Sequence, residues 1–190
     1  LPTENPIMSQ IIEKLMTAEE LLRLGPDFHG ELVRGRLVEM APASWGHGDV
    51  ALTVGSILHR FVSQRKLGRT FAAETGFRLS RDPDSVRAPD VAFVAQQRIP
   101  QTDDRSGYFE GPPDLAVEIV SPNDSYGQLA EKVADYLAAG CRLVWVIDPS
   151  TQTVTVHRSS GPTVLLRSNE TLSGDDVLPG FTTPVAAFFE

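Results

Sequence analysis

The sequence is poor in cysteine, in positive charge and in long apolar runs. Cys141 is the single cysteine in 190 residues, which excludes an intrachain disulfide framework and a cysteine-rich zinc module. A reducing, cytoplasmic setting is the expectation. Lys and Arg number 17 against 25 Asp and Glu, a formal net charge of −8, which speaks against a protein that coats nucleic acid by bulk charge. A local cationic groove remains compatible with that balance. No stretch approaches the roughly 18 uninterrupted apolar residues of a membrane span. The polar segment Leu1–Gln10, with Pro2 and Pro6, lacks the basic start and apolar centre of a signal peptide. There is no internal repeat, no low-complexity run and no clear linker.

What is present suits one folded domain. The chain is 41% hydrophobic and 22% charged, close to the globular average. At roughly 150 residues per domain, its length predicts a loose tail over residues 1–12 and a single domain over 13–190. Thr17 and Glu20 form a capping-box pattern ahead of Leu21, Leu22 and Leu24, a short helix ended by Gly25 and Pro26. Glu31–Arg34 and Arg36–Met40 read as a hairpin around Gly35. Val50, Val54, Ile57, Leu58, Phe61 and Val62 recur at helical spacing and predict a long helix over 46–67, stopped by Gly68. Strands are expected near 70–73, 76–79, 90–95 and 114–120, with a polar loop over 96–113. A helix over 125–139 ends at Gly140, and strands follow at 142–148, 153–157 and 163–167. Strands in runs with few interposed helices predict an α+β fold with a mixed sheet.

The chemistry centres on Asp114-Leu-Ala-Val-Glu-Ile-Val120. The two-residue strand period turns Leu115, Val117 and Ile119 one way and Asp114, Ala116, Glu118 and Val120 the other. A carboxylate at Glu118, amid apolar neighbours, is costly to desolvate unless it is paired or binds a cation. The alternatives are an edge strand with Glu118 in water, or a buried salt bridge to an arginine. Asp90, after Pro89, heads a second apolar strand, Val91–Val94, where its plainer role is to cap a turn. If the two strands pair, both acids converge on one hard cation such as Mg²⁺ or Mn²⁺. Gln128, Lys132 and Tyr136 stand at i, i+4 and i+8 on one helix face. A helix packed over the sheet lets Lys132 reach the acids, although an exposed lysine paired with Glu131 or Asp135 is the simpler expectation for that residue alone.

Asp90 after Pro89, a mid-strand Glu118 and a helical lysine together resemble the PD-(D/E)XK nuclease superfamily. Glu31-Leu-Val-Arg-Gly35-Arg-Leu, His47 at a helix head, Pro113-Asp-Leu-Ala-Val-Glu118-Ile-Val-Ser-Pro122, Lys132–Gly140 and Val144-Trp145-Val-Ile-Asp-Pro149 resemble the Uma-two family of restriction endonucleases over residues 16–188. The resemblance implies a restriction-endonuclease-like core, a mixed central sheet flanked by helices, and relatives that often form homodimers. It implies a Mg²⁺-dependent endonuclease acting on DNA, with Asp90, Glu118 and the Ile119 carbonyl on the metal. The parent pattern puts its lysine two residues after the acid, where this chain has Val120; the resemblance moves that role to Lys132. It makes Glu31 a further ligand or water contact. His47 becomes a phosphate contact or proton shuttle, with a helix-terminus hydrogen bond as its structural counterpart. Gln128 and Tyr136 become candidate support.

Charge is unevenly spread. No acid occurs between Val50 and Ala73, a stretch that holds Arg60, Arg65, Lys66 and Arg69. Arg34, Arg36, Arg78, Arg81 and Arg87 fall near the proposed strands. The sequence names no groove-reading helix. Two other functions fit the same residues: a nuclease-fold module that binds nucleic acid or protein without turnover, and a metal-dependent hydrolase of another phosphate ester.

Overall fold

The computed structural model describes residues 14–25, 27–102, 104–122 and 124–190; the tail expected over 1–12 and the stop at Pro26 lie outside the described residues. Helix α1 (Ala18–Leu22) starts at Thr17, whose hydroxyl accepts from the Glu20 amide while the Glu20 carboxylate answers the Thr17 amide, the expected capping box. Strands β1 (Gly30–Val33) and β2 (Arg36–Glu39) form the expected hairpin. Its two-residue turn holds Arg34 and Gly35 at φ 48° and 77°, the left-handed pair that matches strand twist.

Helix α2 (Trp45–Arg65) buries Val50, Val54, Leu58 and Val62, one residue per turn on a single stripe. It ends at Lys66, left-handed at φ 54°, and Gly68 opens the next strand instead of stopping the helix. Strands β3 (Gly68–Ala72), β4 (Phe77–Ser80), β5 (Ser85–Arg87) and β6 (Val91–Ala95) follow. The loop over 96–113 contains a 3₁₀ turn, Gln96–Arg98, and the two-residue strand β7 (Phe109–Glu110). Strand β8 (Leu115–Ile119) leads into α3 (Tyr126–Ala139), capped by Ser125 and Gln128 at its start and by Gly140 at φ 104° at its end. Then come β9 (Leu143–Asp148), β10 (Thr153–Arg158) and β11 (Val164–Arg167), and the small pair β12 (Thr171–Ser173) and β13 (Thr182–Pro184), which the sequence pattern does not announce.

The expected mixed sheet is present in the order β11-β10-β9-β8-β6-β3, parallel only between β8 and β9. A second sheet, β2-β1-β5-β4-β7, stands beside it. That division follows from β5, whose three residues Ser-Val-Arg carry no periodic signal of their own. Helix α2 packs on one face of the mixed sheet over Leu115, Val117 and Ile119. Helix α3 covers the other face, where Val133 and Tyr136 meet Ala116 and Val144. The alternation read from the sequence is therefore realised in β8, and Glu118 belongs to the α3 face. Strand β8 is central and Glu118 is 4% exposed, so the edge-strand alternative is excluded.

Candidate active site

Strands β6 and β8 pair antiparallel with Val91 opposite Val117; continuing that register outward sets Asp90 across from Glu118. The two acids, 28 positions apart in the chain, thus reach one end of the sheet because their strands are neighbours. Asp90 Oδ2 accepts the Ile119 amide at 2.7 Å, which ties the residue before β6 to the end of β8. The same oxygen lies 3.2 Å from His47 Nε2, brought in by the first turn of α2. His47 also has its amide on the Ser44 hydroxyl, so the helix-terminus bond and the site contact belong to the same residue.

Glu118 is held from α3. Tyr136 donates its hydroxyl to Oε1 at 2.7 Å and Lys132 donates to Oε2 at 2.9 Å. The partner is a lysine, where the sequence alternative named an arginine. Lys132 also approaches Glu31 Oε1 at 3.5 Å. Lys132 therefore faces two buried carboxylates, and Glu131 and Asp135, its expected surface partners, bind Arg34 instead.

Glu31 lines the cleft, but its carboxylate is engaged. It is 1% exposed, and it accepts Arg87 at 2.7 Å and the Ala88 amide at 3.0 Å. Arg87 continues to Asp135 at 2.6 Å. Gln128 lines the cleft and places its side-chain oxygen on the Ser125 amide and hydroxyl, the cap of α3. The clamp formed by Arg87 and Asp135 was not singled out from sequence. A buried acid on β1 demands a cation, but nothing local says which arginine supplies it. Glu74 also lines the cleft and lies 3.2 Å from His29.

Burial pushes the Glu118 carboxyl up to about 7; Lys132 opposes this, while the neighbouring charges of Asp90 and Glu31 add to it. Burial depresses the Lys132 ammonium, but Glu118 and Glu31 outweigh it and hold the group above the ordinary lysine range. The hydrogen bond to Asp90 raises His47 against its own burial. Burial raises the Tyr136 phenol, and Glu118 beside it acts in the same direction.

These groups open on a cleft of about 1160 Å³ lined by Asp90, Glu118, Ile119, Lys132, His47 and Gln128 among others. The donor set fits a hard divalent cation. The charge of Asp90 raises the cost of ionising Glu118, and the hydrogen bonds described for Asp90 all fall on Oδ2, leaving Oδ1 for a ligand role. Among the described residues no group of three or more His, Cys, Asp or Glu gathers as a metal cage.

Residues 18–186 match the family model Uma2, described as "Putative restriction endonuclease". Among solved structures, "a putative nuclease belonging to DUF820 from Anabaena variabilis ATCC 29413" superposes with a TM-score of 0.79, covering 92% of this chain and 97% of that one. Identity between the two is 22%, so this likeness concerns the fold. No curated protein matches the chain.

Proposed function

The chain belongs to the Uma2 family, and on that premise we propose that it is a metal-dependent endonuclease that hydrolyses DNA phosphodiester bonds. One observation carries this reading. A carboxylate buried mid-strand at Glu118 faces an ammonium at 2.9 Å, with a second carboxylate, Asp90, across the strand pair. Folding alone gains little from burying that trio, since replacing a buried ion pair with apolar residues is often neutral or stabilising.

Asp90, Glu118 and the Ile119 carbonyl would hold Mg²⁺, with Mn²⁺ as a substitute, and the ion would supply Lewis acidity at the phosphate and a more acidic water. Lys132 keeps its proton in this setting, paired to carboxylates, and acts as a hydrogen-bond donor. It orients the attacking water and meets the charge that develops on the phosphoryl oxygens. Tyr136 fixes Glu118, His47 fixes Asp90, and Glu31 fixes Lys132, the supporting shell such a site needs.

Magnesium titration by calorimetry, paired with a cleavage screen over single- and double-stranded DNA and RNA, tests the reading. Wild type binds Mg²⁺ and cuts. Asp90→Ala and Glu118→Ala lose both while keeping a cooperative thermal transition. Binding of polymer by wild type with no cutting at any Mg²⁺ concentration leaves the binding module in its place. Turnover of small phosphate esters with polymers untouched leaves the general hydrolase.

A further inference from the structure

We propose that the substrate enters this cleft as an unpaired strand whose bases stack on Trp45 and Tyr126, and not as a continuous duplex gripped through its phosphates. The inference rests on the nuclease reading above and names its substrate class. Trp45 is 90% exposed and Tyr126 is 89% exposed, and no other aromatic among the described residues stands out so far into water. Each is the first residue of a helix, α2 and α3, and both helices begin at the cleft. His47 and Gly48 of α2 line it, as do Asp124, just ahead of α3, and Gln128 within it. His47, at the start of α2, reaches Asp90 at 3.2 Å, and Asp124, just ahead of α3, lines the same cleft. Each bare ring thus stands two residues from a cleft-lining residue, Trp45 from His47 and Tyr126 from Asp124, and packing leaves both exposed.

The charge of the cleft points the same way. Carboxylates among the lining residues outnumber Arg87 and Lys132, and both of those cations are ion-paired. None of the basic run Arg60, Arg65, Lys66 and Arg69 lines the cleft, although Arg60 and Arg69 adjoin the lining residues His59 and Thr70. Arg34, Arg78 and Arg81 are each engaged by acids. A duplex draws its affinity from phosphates neutralised by Lys and Arg, and this surface offers few. Stacking needs no charge, and every base has a face to stack. Ala43, Ala51, Leu52, Ala72 and Ala73 give the same cleft a small-residue apolar wall of the kind a base can lie against.

The chain has two tryptophans, and Trp145 is fully buried, so a change in emission on adding an oligonucleotide reports Trp45. Wild type and the double variant Trp45→Ala/Tyr126→Ala are titrated in EDTA with a short mixed-sequence DNA strand, its RNA counterpart and the blunt DNA duplex. Either strand, with or without preference between DNA and RNA, quenches wild-type emission and binds at least about tenfold more tightly than the duplex. The double variant loses about tenfold or more in strand affinity, and Trp45→Phe/Tyr126→Phe keeps most of it, because the rings remain. Equal affinity for strand and duplex overturns the inference. So does a double variant that binds the strand as wild type does. A dimer that falls to monomer in the double variant by light scattering, with strand affinity unchanged, gives the rings to a second copy of the chain and overturns it too. The two readings fail separately. Strand binding without Mg²⁺-dependent cutting removes the nuclease and leaves the stacking site. Mg²⁺-dependent duplex cutting that is equal in wild type and the double variant removes the stacking site and leaves the nuclease.

Discussion

Strand β8 has a buried acid at each end, and the two have opposite surroundings. Asp114, just before the strand, accepts the Ala95 amide at 2.8 Å and lies 3.0 Å from Arg98. Its own amide bonds to Phe93, and its carbonyl takes the Arg142 and Leu143 amides. Every feature of that end is consumed by chain-to-chain bonding. Glu118, four residues on, has one lysine, one phenol and a second carboxylate beside it, and it opens on the cleft. The two acids are equally buried, 5% and 4% exposed, so burial does not distinguish a structural carboxylate from a reactive one. The distinction lies in what the charge is set against: the Ala95 amide and Arg98 close Asp114, whereas a like charge and an open face leave Glu118 unfinished.

The largest expected effect separates these roles. Glu118→Gln lowers metal-dependent cleavage on the order of a thousandfold, since it removes a ligand charge from the site, and leaves folding intact. Asp114→Ala costs about 2 kcal/mol of stability, because the Ala95 amide and Arg98 lose their acceptor. Its cleavage per folded molecule stays near wild type. Urea denaturation and turnover measured on the same preparations check both. Loss of activity in a well-folded Asp114→Ala protein would merge the two ends into one functional unit.

The next effect is a pH dependence that belongs to Glu118. Its folded carboxyl stands at about 7 against an ordinary 4.5, so the folded state holds a proton that the unfolded chain has released. That contribution is fully present below pH 4.5, declines as pH rises through the window, and is gone above about 7. In EDTA, wild type therefore loses stability between pH 5 and pH 8 relative to Glu118→Gln, by up to about 3 kcal/mol. Added Mg²⁺ narrows the gap, since it stabilises the ionised wild-type carboxylate. Parallel pH profiles for the two proteins in EDTA would mean that Glu118 is ionised without cost, and the contrast with Asp114 would lose its basis.

Much of the site was legible because its rules are local. A period of two in β8 turned Glu118 toward Ala116 and Val120, and a spacing of four in α3 put Lys132 and Tyr136 on one face. Once the helix covers that face, the hydrogen bonds follow. Glu31 and Arg87 were not legible as a pair. They sit 56 positions apart, on β1 and β5, in a sheet whose existence depends on three residues with no apolar alternation. Gln128 answers two local codes at once: it lines the cleft, and its side-chain oxygen closes a capping box with Ser125 three residues earlier. At the end of α2, Gly68 reads as a stop, but the left-handed Lys66 closes the helix first. Local codes located the reactive end of β8, and long-range charge pairing assembled what surrounds it.

The smallest expected effect tests whether the Asp114 end is as closed as its bonding implies. Cys141 lies against it, fully buried, with its thiol 3.2 Å from the Leu143 carbonyl and near that of Asp114. Burial pushes that thiol up to about 12, so at pH 8 almost none of it is thiolate, the form that attacks an alkylating reagent. Iodoacetamide should leave the native protein unmodified over hours at pH 8 and label it in step with urea unfolding. Cys141→Ala should cost about 1 kcal/mol and leave cleavage unchanged. Native-state labelling at the rate of a free thiol would require this end to open as readily as the cleft does. Asp114 and Glu118 would then differ only in their partners, and the rigidity that sets Glu118 opposite Asp90 would have to come from β9 and α3 instead.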